Sequence, residues 1–563
     1  MGTFSHGWLR FTANSPFLQA LLFLNALDAF VAASLVPLAI AAVISGLDDL
    51  VLDVWLAVSR LRRRPARTPQ PQPAGPHKRI AVFVPLWQEH AVIGRMLRHN
   101  LETVRYAEYD FFVGAYPNDA RTLDAVRQIE TESPSVHLMI VPHDGPTSKA
   151  DCLNWIYQGM LAYEEACGIH FDVVVTHDAE DVIHPDSLRW ISRLSDQYDM
   201  VQLPVLPLPT PGLRLTHGVY CDEFAEFQTK DVPARRALGG FLPSNGVGTG
   251  YSRKALEALA ASDCNCVFDP TCLTEDYDCG IRLHKLGFRQ IFLPIRFQDG
   301  APVATREYFP KRFRQAVRQR TRWVIGIALQ GWERHGWRGE AGTVYWFWRD
   351  RKGLIGNPLS LLGNLVFLYG FATFIVSLMS GRPWALGNLG LTPSARFWLE
   401  AALASQTFRL LVRGACSARI YGWAFASGVP VRAVAGNWIN ASATVLAVLR
   451  YAHARLRSRS HAWLKTEHTY PAIETASRPG LAAAEPVDPA LVQRRVARAL
   501  PAHAVERWRV LPFRVAEGSM FLATPEEPPA RLKRELARFT GLDIQFQLVP
   551  AENFEELRRL HVR

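Results

Sequence analysis

The chain has 563 residues but lacks any pair of cysteines at C-x-x-C spacing, which excludes the usual redox and zinc-ribbon signatures. Four of its eight cysteines lie close together, at Cys264, Cys266, Cys272 and Cys279. Their spacing, C-x-C-x5-C-x6-C, fits no common zinc site, so a zinc clip is the less favoured alternative to free, partly buried thiols. We therefore expect reduced cysteines.

The N-terminus lacks the pattern of a cleaved signal peptide, in which positive charge precedes a short apolar core. Here an almost wholly apolar run covers residues 16–45, and the basic cluster follows it at residues 60–67. The run is long enough to cross a bilayer, and the positive-inside rule places the N-terminus outside and residue 60 onward in the cytoplasm. Residues 48–56 mix acids with large apolar side chains, which predicts a helix lying along the membrane interface.

Two later apolar segments predict further spans, at residues 354–379 and, shorter and less apolar, at residues 397–412. Residues 423–449 contain polar residues between basic flanks, so we interpret them as interfacial or re-entrant. The prediction is a multi-pass protein with three spans, a cytoplasmic catalytic domain and a cytoplasmic C-terminus. The net charge of +11 then indicates an anionic membrane surface or a phosphorylated substrate rather than nucleic acid.

The soluble part after the first span alternates short apolar strands with helical patterns. Strands are expected at residues 79–85, 110–116, 136–141 and 171–176. This alternation predicts an α/β domain with a parallel sheet, whose ligands bind at the carboxyl ends of the strands. Acidic residues follow two of these strands, Asp119 after the second and Asp178, Glu180 and Asp181 after the fourth.

The domain plan that follows has six parts. It assigns residues 1–64 to transmembrane and interfacial helices, 65–77 to a linker, 78–305 to the α/β domain, 306–352 to interfacial helices, 353–470 to further transmembrane and interfacial helices, and 480–563 to a small α+β domain. In the last part we expect paired strands at 506–513 and 519–524, a helix at 529–539 and a strand at 544–549.

Two carboxylate motifs could carry chemistry. The turn Asp178-Ala179-Glu180-Asp181 could hold Mg²⁺ or Mn²⁺ against a diphosphate, because hard cations prefer oxygen ligands. Alternatively, it is a solvated acidic turn. Asp276, in Thr274-Glu275-Asp276, could deprotonate an attacking hydroxyl as a general base. Alternatively, Thr274 and Glu275 only cap the helix that follows.

The pentapeptide Gln319–Trp323 reads Q-x-x-R-W, and on a helix Gln319, Arg322 and Trp323 share one face. A guanidinium suits a diphosphate and an indole suits the apolar face of a sugar. Lys149 stands at a predicted helix start, where a phosphate or a salt bridge should compensate its charge. The glycine-rich loop at residues 246–250 would allow close approach of a sugar, but the Lys-Ser/Thr of a phosphate-binding P-loop is missing.

In combination and order, these motifs resemble the membrane-embedded family 2 glycosyltransferases of the cellulose and hyaluronan synthase type, over about residues 20–470. The most specific parts are Thr274–Asp276 and Gln319–Trp323. Segments 46–50, 177–181 and 465–468 are similar to a phage-adsorption type within that group. The resemblance implies a GT-A domain between membrane helices at the bacterial inner membrane.

The resemblance also implies a role for each matching residue. Asp276 would be the base, with Glu275 beside it; Glu89, Asp119, Lys149, Asp178 and Arg320 or Arg322 would bind the donor and its diphosphate; Asp178, Glu180 and Asp181 would face the metal; and Gly248, Thr249, Gly250, Gln319 and Trp323 would bind the acceptor. The sequence departs from the family pattern at two positions. Gln88 replaces the usual Asn before Glu89, and Glu180 replaces the last Asp of the Asp-x-Asp triplet.

The implied function is an inverting, processive transferase that polymerises a sugar from a UDP-sugar onto a growing glycan for secretion. Three spans are few for a polymer channel, so a periplasmic or outer-membrane export partner is expected. The first alternative is a non-enzymatic membrane receptor or scaffold of the phage-adsorption type that retains the transferase fold. The second is a dolichol- or undecaprenyl-phosphate glycosyltransferase, which the Q-x-x-R-W motif disfavours.

The C-terminal part resembles the latter half of the N-terminal domain of type II secretion ATPases. In such domains a cyclic di-GMP site lies in an earlier half with an Arg-Leu-Gly-x-x-Leu signature, which residues 471–495 do not show. The resemblance thus suggests regulation by cyclic di-GMP, but its motif is absent.

Overall fold

The computed structural model describes residues 16–62, 78–457 without 212, 213 and 299, residue 470, and residues 487–561 with short gaps. The chain divides into two compact units, Met1–Pro471 and Ala472–Arg563. The predicted linker at 65–77, the segment 465–468 and most of the predicted helix at 529–539 lie outside the described residues.

The strands of the first unit lie between residues 80 and 307. They are β1 (Ile80–Pro85), β2 (Tyr109–Ala115), β3 (Val136–Ile140), β4 (Val173–Thr176), β5 (Met200–Gln202), β6 (Val205–Pro207), β7 (Thr249–Ser252), β8 (Gln290–Phe292), β9 (Phe297–Gln298), β10 (Ala301–Pro302) and β11 (Thr305–Glu307). All four predicted strands are confirmed as β1 to β4, within two residues at each end. The apolar runs of β1 and β4 are wholly buried, as expected for strands covered on both faces of the sheet.

The central sheet has seven strands in the order β3-β2-β1-β4-β7-β5-β8. Neighbours pair in parallel except at β7, which runs antiparallel to both β4 and β5. The prediction of a parallel sheet is confirmed for the four predicted strands, and the antiparallel β7 is an addition that the sequence analysis did not predict. The consequence for function is that the chain entering β7 reaches the same sheet edge as the chains leaving β1, β4 and β5.

Helices surround this sheet and continue into a helical bundle. They are α1 (Pro16–Arg62), α2 (Ile93–Thr103), α3 (Ala120–Glu132), α4 (Lys149–Cys167), α5 (Ser187–Leu194), α6 (Leu215–Glu226), α7 (Val232–Ala237), α8 (Arg253–Ser262), α9 (Glu275–Lys285), α10 (Phe313–Trp323), α11 (Gly331–His335), α12 (Ala341–Arg351), α13 (Gly353–Ser380), α14 (Pro393–Tyr421), α15 (Trp423–Ala426) and α16 (Val429–Leu456). Two π-helices, Phe227–Asp231 and Val324–Gln330, and a 3₁₀ turn, Ala385–Asn388, complete the set.

Helix α4 shows how local sequence fixes an element that carries a site residue. The Ser148 hydroxyl caps its start by accepting from the Asp151 backbone N–H, and Gly168 ends it in the left-handed conformation. Between these signals the buried face, including Ile156 and Met160, packs into the central core. The cap places Lys149 at the first helical position, beside the carboxyl ends of the strands.

Two helices among the described residues are long and apolar enough to cross a membrane, Asn25–Ser59 with 35 residues and Ala341–Ser380 with 40. The first overlaps the predicted span 16–45 over residues 25–45, and the second contains the predicted span 354–379. Residues 397–412 belong to α14 and do not reach the same hydropathy, so the third predicted span is not among these candidates.

One prediction about the helical part is wrong and another is narrowed. Residues 48–56 do not form a separate interfacial helix, because α1 continues without a break from Pro16 to Arg62. Its acids at this point are buried among cations. Residues 429–456 are a single helix of 28 residues, α16, which disfavours the re-entrant alternative, and the interfacial alternative stays a prediction. This helix packs against α10 and α13, where Asn437 donates to Asn364 at 3.2 Å.

The C-terminal unit is a small three-stranded sheet with helices. Strands β12 (Leu511–Ala516) and β13 (Ser519–Thr524) are antiparallel, and β14 (Asp543–Leu548) joins β13 in parallel. Helices α17 (Arg494–Ala497), α18 (Ala502–Trp508) and α19 (Ala551–His561) accompany the sheet. The predicted strand pair and the later strand are confirmed, but the first strand starts at Leu511 because residues 506–508 end a helix.

Candidate active site

A cavity of about 630 Å³ lies at the carboxyl ends of the central strands and extends into the helical bundle. Its strand-side half is called the transfer site below. It is lined by Glu89, Lys149, Asp178, Glu180, Asn245, Glu275, Asp276, Glu307, Gln319, Arg322 and Trp323. Most residues that the sequence singled out from separate motifs thus meet in one cavity.

The candidate base stands at the start of α9. Glu275 and Asp276 occupy its first turn, and the Thr274 side chain makes no capping hydrogen bond. Burial raises the pKa of Asp276, and burial and the neighbouring Asp276 charge raise the pKa of Glu275 to about 7. Lys149 and Arg322 oppose both shifts. The pair can therefore hold a proton near neutral pH, as a general base requires.

The acidic turn after β4 divides into residues that line the cavity and one that does not. Asp178 forms an ion pair with Lys149 at 2.5 Å, and Glu180 is 4% exposed at the cavity wall. Burial lowers the pKa of Lys149, but the carboxylates of Asp178 and Glu275 more than compensate, and the net shift is upward. The predicted salt bridge at the start of this helix is present.

Asp181 is a correction to the predicted metal ligands. Its carboxylate accepts a hydrogen bond from the Asp178 backbone N–H at 3.0 Å and lies 2.7 Å from Nδ1 of His177. Both Asp181 and His177 are fully buried, and Asp181 does not line the cavity. It shapes the turn from behind, because a run of acids in the sequence does not say which way each side chain points.

Glu307 was missed by sequence reasoning. It ends β11, and the backbone of Arg306 before it exchanges hydrogen bonds with Val182, just after the acidic turn. Burial and the carboxylates of Asp181, Glu180 and Asp178 raise its pKa well above the usual range. Glu307 lies in no recognisable motif, and its position at the end of a strand was the one available signal.

The Q-x-x-R-W helix is α10, and three of its residues line the cavity as the helical spacing predicts: Gln319, Arg322 and Trp323. The Trp323 ring also packs near Tyr220 and Phe309, with centroids 6.1 and 6.4 Å away. Among the described residues no carboxylate lies within ion-pair distance of Arg322, and its buried Nε has no hydrogen-bond partner. Its guanidinium is therefore available to a ligand.

Arg320 is a second correction, because the structure separates it from the cavity. Its guanidinium pairs with Glu223 at 2.5 Å, reaches Asn440 of α16 and lies 4.4 Å from the Tyr220 ring. The two arginines differ by two positions, and two positions on a helix turn side chains to nearly opposite faces. Arg320 fastens α10 to its neighbours.

Glu89 lines the cavity, whereas Asp119 does not. The Asp119 carboxylate accepts from the Gln88 backbone N–H at 2.5 Å, and it stabilises a turn in which Gln88 has a positive φ of 55°. Asn tolerates this left-handed conformation better than Gln, which gives a physical reason for the Asn of the family pattern. Contact of Asp119 with a nucleoside stays a prediction.

The glycine-rich loop is a third correction. Gly248, Thr249 and Gly250 are buried in the protein interior: a Cβ at Gly248 would lie 2.3 Å from Thr305, and one at Gly250 would lie 2.4 Å from Ile191. Thr249 donates to Gln202 at 2.7 Å. Packing against the sheet occupies these residues, and they do not line the cavity. Pro243, Ser244, Asn245 and Val247, just before them, line it instead.

The other half of the cavity borders a set of buried ion pairs, called here the junction cluster. It consists of Asp48, Asp49, Asp53, Glu226, Lys230, Asp231, Arg349, Lys352, Arg409 and Arg413. Arg349 contacts three of its carboxylates, and Lys230 lies 2.8 Å from Asp53 and 2.7 Å from Glu226. The cluster joins α1, the first π-helix, α12 and α14.

In the part of the chain that the structure describes, no group of three or more His, Cys, Asp or Glu side chains is arranged to hold a metal ion. The zinc clip at Cys264–Cys279 is thus not formed there, and all eight cysteines are free. Asp178 and Glu180 at the cavity wall are two oxygen donors, too few to saturate Mg²⁺ or Mn²⁺ without further oxygens from a ligand and water.

The sequence matches agree with this geometry. Residues 76–326 match the family described as "Glycosyltransferase like family 2", and they form a family 2 glycosyltransferase domain with a GT-A-like α/β fold. Helices compatible with a membrane precede and follow this domain.

Two curated proteins are 36% identical to the chain over 477 residues. They are bacteriophage adsorption protein B of Escherichia coli strain K12 and bacteriophage N4 adsorption protein B of Escherichia coli O157:H7. The match covers 79% of this chain and 63% of each relative. The chain thus spans less than two thirds of the length of these relatives.

Solved structures give weaker likenesses. A mannosyltransferase from Pyrobaculum calidifontis, in complex with GDP-Man and Mn²⁺, is 19% identical with a TM-score of 0.46, covering 74% of this chain and 99% of its own. S. aureus TarS residues 1–349 is 12% identical with a TM-score of 0.29, covering 70% and 98%. The family assignment rests on the sequence matches.

Proposed function

We propose that the protein is an inverting, processive glycosyltransferase that moves a sugar from a UDP-sugar to the end of a growing glycan. The observation that carries this proposal is the transfer site. In one cavity of about 630 Å³, it brings together the buried Asp276 carboxylate with its raised pKa, the acidic turn at Asp178 and Glu180, and Arg322, which has no ion-pair partner among the described residues. Pockets of this size take ligands as large as a nucleotide sugar.

In the proposed reaction, an acceptor hydroxyl oxygen attacks C1 of the donor sugar. Its proton passes to the Asp276 carboxylate, and the bond between C1 and the diphosphate oxygen breaks as UDP leaves. Gly246 keeps space for this carboxylate, because a Cβ there would lie 2.8 Å from Asp276 Oδ2. Its φ of 77° also favours glycine.

The leaving diphosphate needs positive charge, since such electrostatic stabilisation is usually the largest catalytic contribution. Arg322 is the residue placed to supply it. One guanidinium does not balance a diphosphate beside Asp178 and Glu180, so these two carboxylates would hold Mg²⁺ or Mn²⁺ together with diphosphate oxygens. The ion would neutralise charge on the leaving group. Because the protein offers two donors here, metal and nucleotide should bind together.

The charges of the cavity support a neutral donor sugar, a hexose or N-acetylhexosamine, over a uronic acid. Seven cations line it, and six of them are in ion pairs with carboxylates: Lys149, Arg235, Arg349, Lys352, Arg409 and Arg413. The seventh, Arg322, is assigned to the diphosphate. A sugar carboxylate would find no free cation among these residues and would face the acids of the transfer site.

The acceptor is proposed to lie along Gln319 and Trp323, with the indole against the apolar face of a sugar. Beyond this point the cavity continues towards the junction cluster, which leaves room for further sugar units and supports a processive mode. The proposed location is the bacterial inner membrane, with the catalytic domain on the cytoplasmic side between the two membrane-compatible helices. A cytoplasmic C-terminus requires in addition that α14 crosses the membrane, as the third span predicted from the sequence. A periplasmic or outer-membrane partner would complete export of the polysaccharide.

The test is a panel of nucleotide sugars on membranes that contain the protein, scored by nucleotide release. We expect release from one or a few neutral UDP-sugars, no release from UDP-glucuronic acid, and loss of both release and donor binding in excess chelator. Membranes with Asp276→Asn are the matched control. Release from the uronate donor would refute the neutral-sugar assignment, and unchanged donor affinity in chelator would refute the metal.

The alternative function is a non-enzymatic receptor or scaffold. The names of the two relatives favour it, because both are called phage adsorption proteins. A scaffold releases no nucleotide from any donor. Absence of release across the whole panel, with a folded protein, would replace the transferase proposal by this one.

A further inference from the structure

The acceptor motif continues without a break into a segment that touches the loop of the candidate base. This segment, residues 324–335, is called the clamp. It consists of the second π-helix, Val324–Gln330, and α11. The loop it touches, residues 269–278, is called the base loop and contains Glu275 and Asp276. π-Helices are rare and often occur at functional sites, so the position of this one beside the base loop points to a functional contact.

The π-helix contacts the base loop through a glycine and a glutamine. A Cβ at Gly326 would lie 2.3 Å from the hydroxyl of Thr274, so only glycine allows this close approach. The Gln330 side chain accepts from the Leu273 backbone N–H at 3.0 Å and donates to the Thr271 carbonyl at 3.2 Å. Both contacts hold the backbone just before the base.

Helix α11 holds both ends of the same loop. Arg334 forms an ion pair with Asp269 at 2.5 Å and also reaches the Thr271 hydroxyl. Nε2 of His335 lies 2.9 Å from Asp278, two residues after the base. The base loop is thus fastened from residue 269 to residue 278 by one segment, and that segment follows directly after Trp323.

We propose that Gln330 and Gly326 are positioning residues for Asp276, so that the helix carrying the acceptor motif also sets the orientation of the base. The proposal rests on the proposed function for the role of Asp276. It adds that the base and the acceptor motif move as one unit. The Thr274 side chain does not cap α9, and the Asp276 carboxylate accepts from the Tyr277 backbone N–H at 2.8 Å, so the clamp adds to this local hydrogen bond where the usual cap is missing.

The test combines hydrogen exchange of the base loop with steady-state kinetics. Gln330→Met keeps the side-chain volume and removes both hydrogen bonds, and Gly326→Ala pushes directly on Thr274. Gln128→Met, on the exposed face of α3, is the matched control. For both clamp variants we expect faster exchange in residues 269–278, unchanged exchange around residues 178–181, and kcat about tenfold lower with donor KM within twofold.

Each outcome decides one step. Unchanged exchange in both clamp variants overturns the clamp itself. Faster exchange with normal kcat overturns the positioning role, and an equal loss of donor affinity shows a general structural effect instead. If the wild-type protein releases no nucleotide from any donor, the proposed function fails and the positioning role with it, whereas the exchange measurement still decides whether the clamp holds the loop.

Discussion

The two halves of the cavity differ in how their carboxylates and cations are balanced. In the transfer site six carboxylates face two cations, and one of the cations, Arg322, has no carboxylate partner among the described residues. In the junction cluster five carboxylates face five cations, and each of the ten takes part in an ion pair. Both sets are largely buried, so burial alone does not distinguish them.

This difference in charge balance indicates that the transfer site is suited to binding a ligand, whereas the junction cluster holds helices together. A buried charge is stable only when a partner compensates it. The junction cluster compensates its charges internally and therefore needs no ligand. The transfer site holds more carboxylates than cations and one guanidinium without an ion-pair contact among the described residues, so a metal-bound diphosphate could bind there. The same type of substitution should therefore change ligand binding or catalysis in the transfer site and protein stability in the junction cluster.

The largest effect is expected for Asp276→Asn. Loss of a general base typically lowers the rate by roughly 10²–10⁴-fold, while the isosteric amide should leave UDP affinity nearly unchanged. Nucleotide release and UDP binding on the same preparation are the measurements. Near-normal turnover would contradict the assignment of the base.

Asp53→Asn is the control in the other half, because Asp53 is 1% exposed at the side chain and pairs with Lys230. It should lower the melting temperature and leave the turnover of the folded protein within a few-fold of wild type. A loss of turnover as large as that of Asp276→Asn would mean that the two halves are not functionally separate.

Arg322→Met and Arg349→Met form a matched pair. Removing Arg322 should weaken UDP binding by about 10- to 100-fold, as loss of a charged hydrogen bond does, with little change in stability. Removing Arg349 leaves Asp48, Asp49 and Asp231 without it, and breaking a buried ion pair in this way typically costs about 3–5 kcal/mol of folding free energy. UDP titration should show weaker binding mainly for Arg322→Met, and thermal unfolding should show lower stability mainly for Arg349→Met. Equal changes of both variants in both measurements would contradict the separation of the two halves.

The order of elements could be predicted from the sequence, whereas several side-chain directions could not. Strands β1 to β4 lie in apolar runs, which burial in a sheet requires, and their prediction is confirmed. Strand β7 begins inside a glycine-rich stretch, so the sequence suggested a loop. Residues 48–56 mix acids with large apolar side chains and therefore predicted a helix along the membrane interface. The cations that pair with these acids are about 300 residues away, which the local pattern does not reveal.

The candidate site was predictable where periodicity determines direction. Helical spacing placed Gln319, Arg322 and Trp323 together, and the same spacing counts against Arg320, which was nevertheless retained as an alternative. In the acidic turn no periodicity applies, so Asp181 could not be told from Asp178. Glu307 depends on a backbone pairing between Arg306 and Val182 that joins residues far apart in sequence. The clamp depends on a π-helix, for which the sequence carried no signal.

Trp323→Ala should impair elongation more than donor binding. The indole faces the cavity but also packs near Tyr220 and Phe309, so its loss removes aromatic contacts worth about 0.5–1.5 kcal/mol each. We expect shorter products and an acceptor affinity roughly tenfold lower. Trp323→Phe is the control, because it keeps an aromatic ring against the same neighbours. Collapse of UDP affinity with unchanged product length would assign Trp323 to the donor or to the fold.

The smallest expected effect is a shift of the pH profile by Glu275→Gln. Asp276 accepts a proton only when it is ionised, and its pKa is raised by burial, so activity should fall as pH falls through the raised pKa. Glu275, with a pKa raised to about 7, interacts with Asp276, and the acid limb of kcat against pH reports the pair rather than either residue. The repulsion between the two carboxylates, which raises the pKa of Glu275, makes the doubly ionised pair less stable, and Glu275→Gln removes it. The acid limb should therefore move to lower pH by about one unit, the usual scale for a neighbouring like charge. An acid limb that stays in place would show that Glu275 does not share the proton, and one that moves to higher pH would reverse the sign of the interaction.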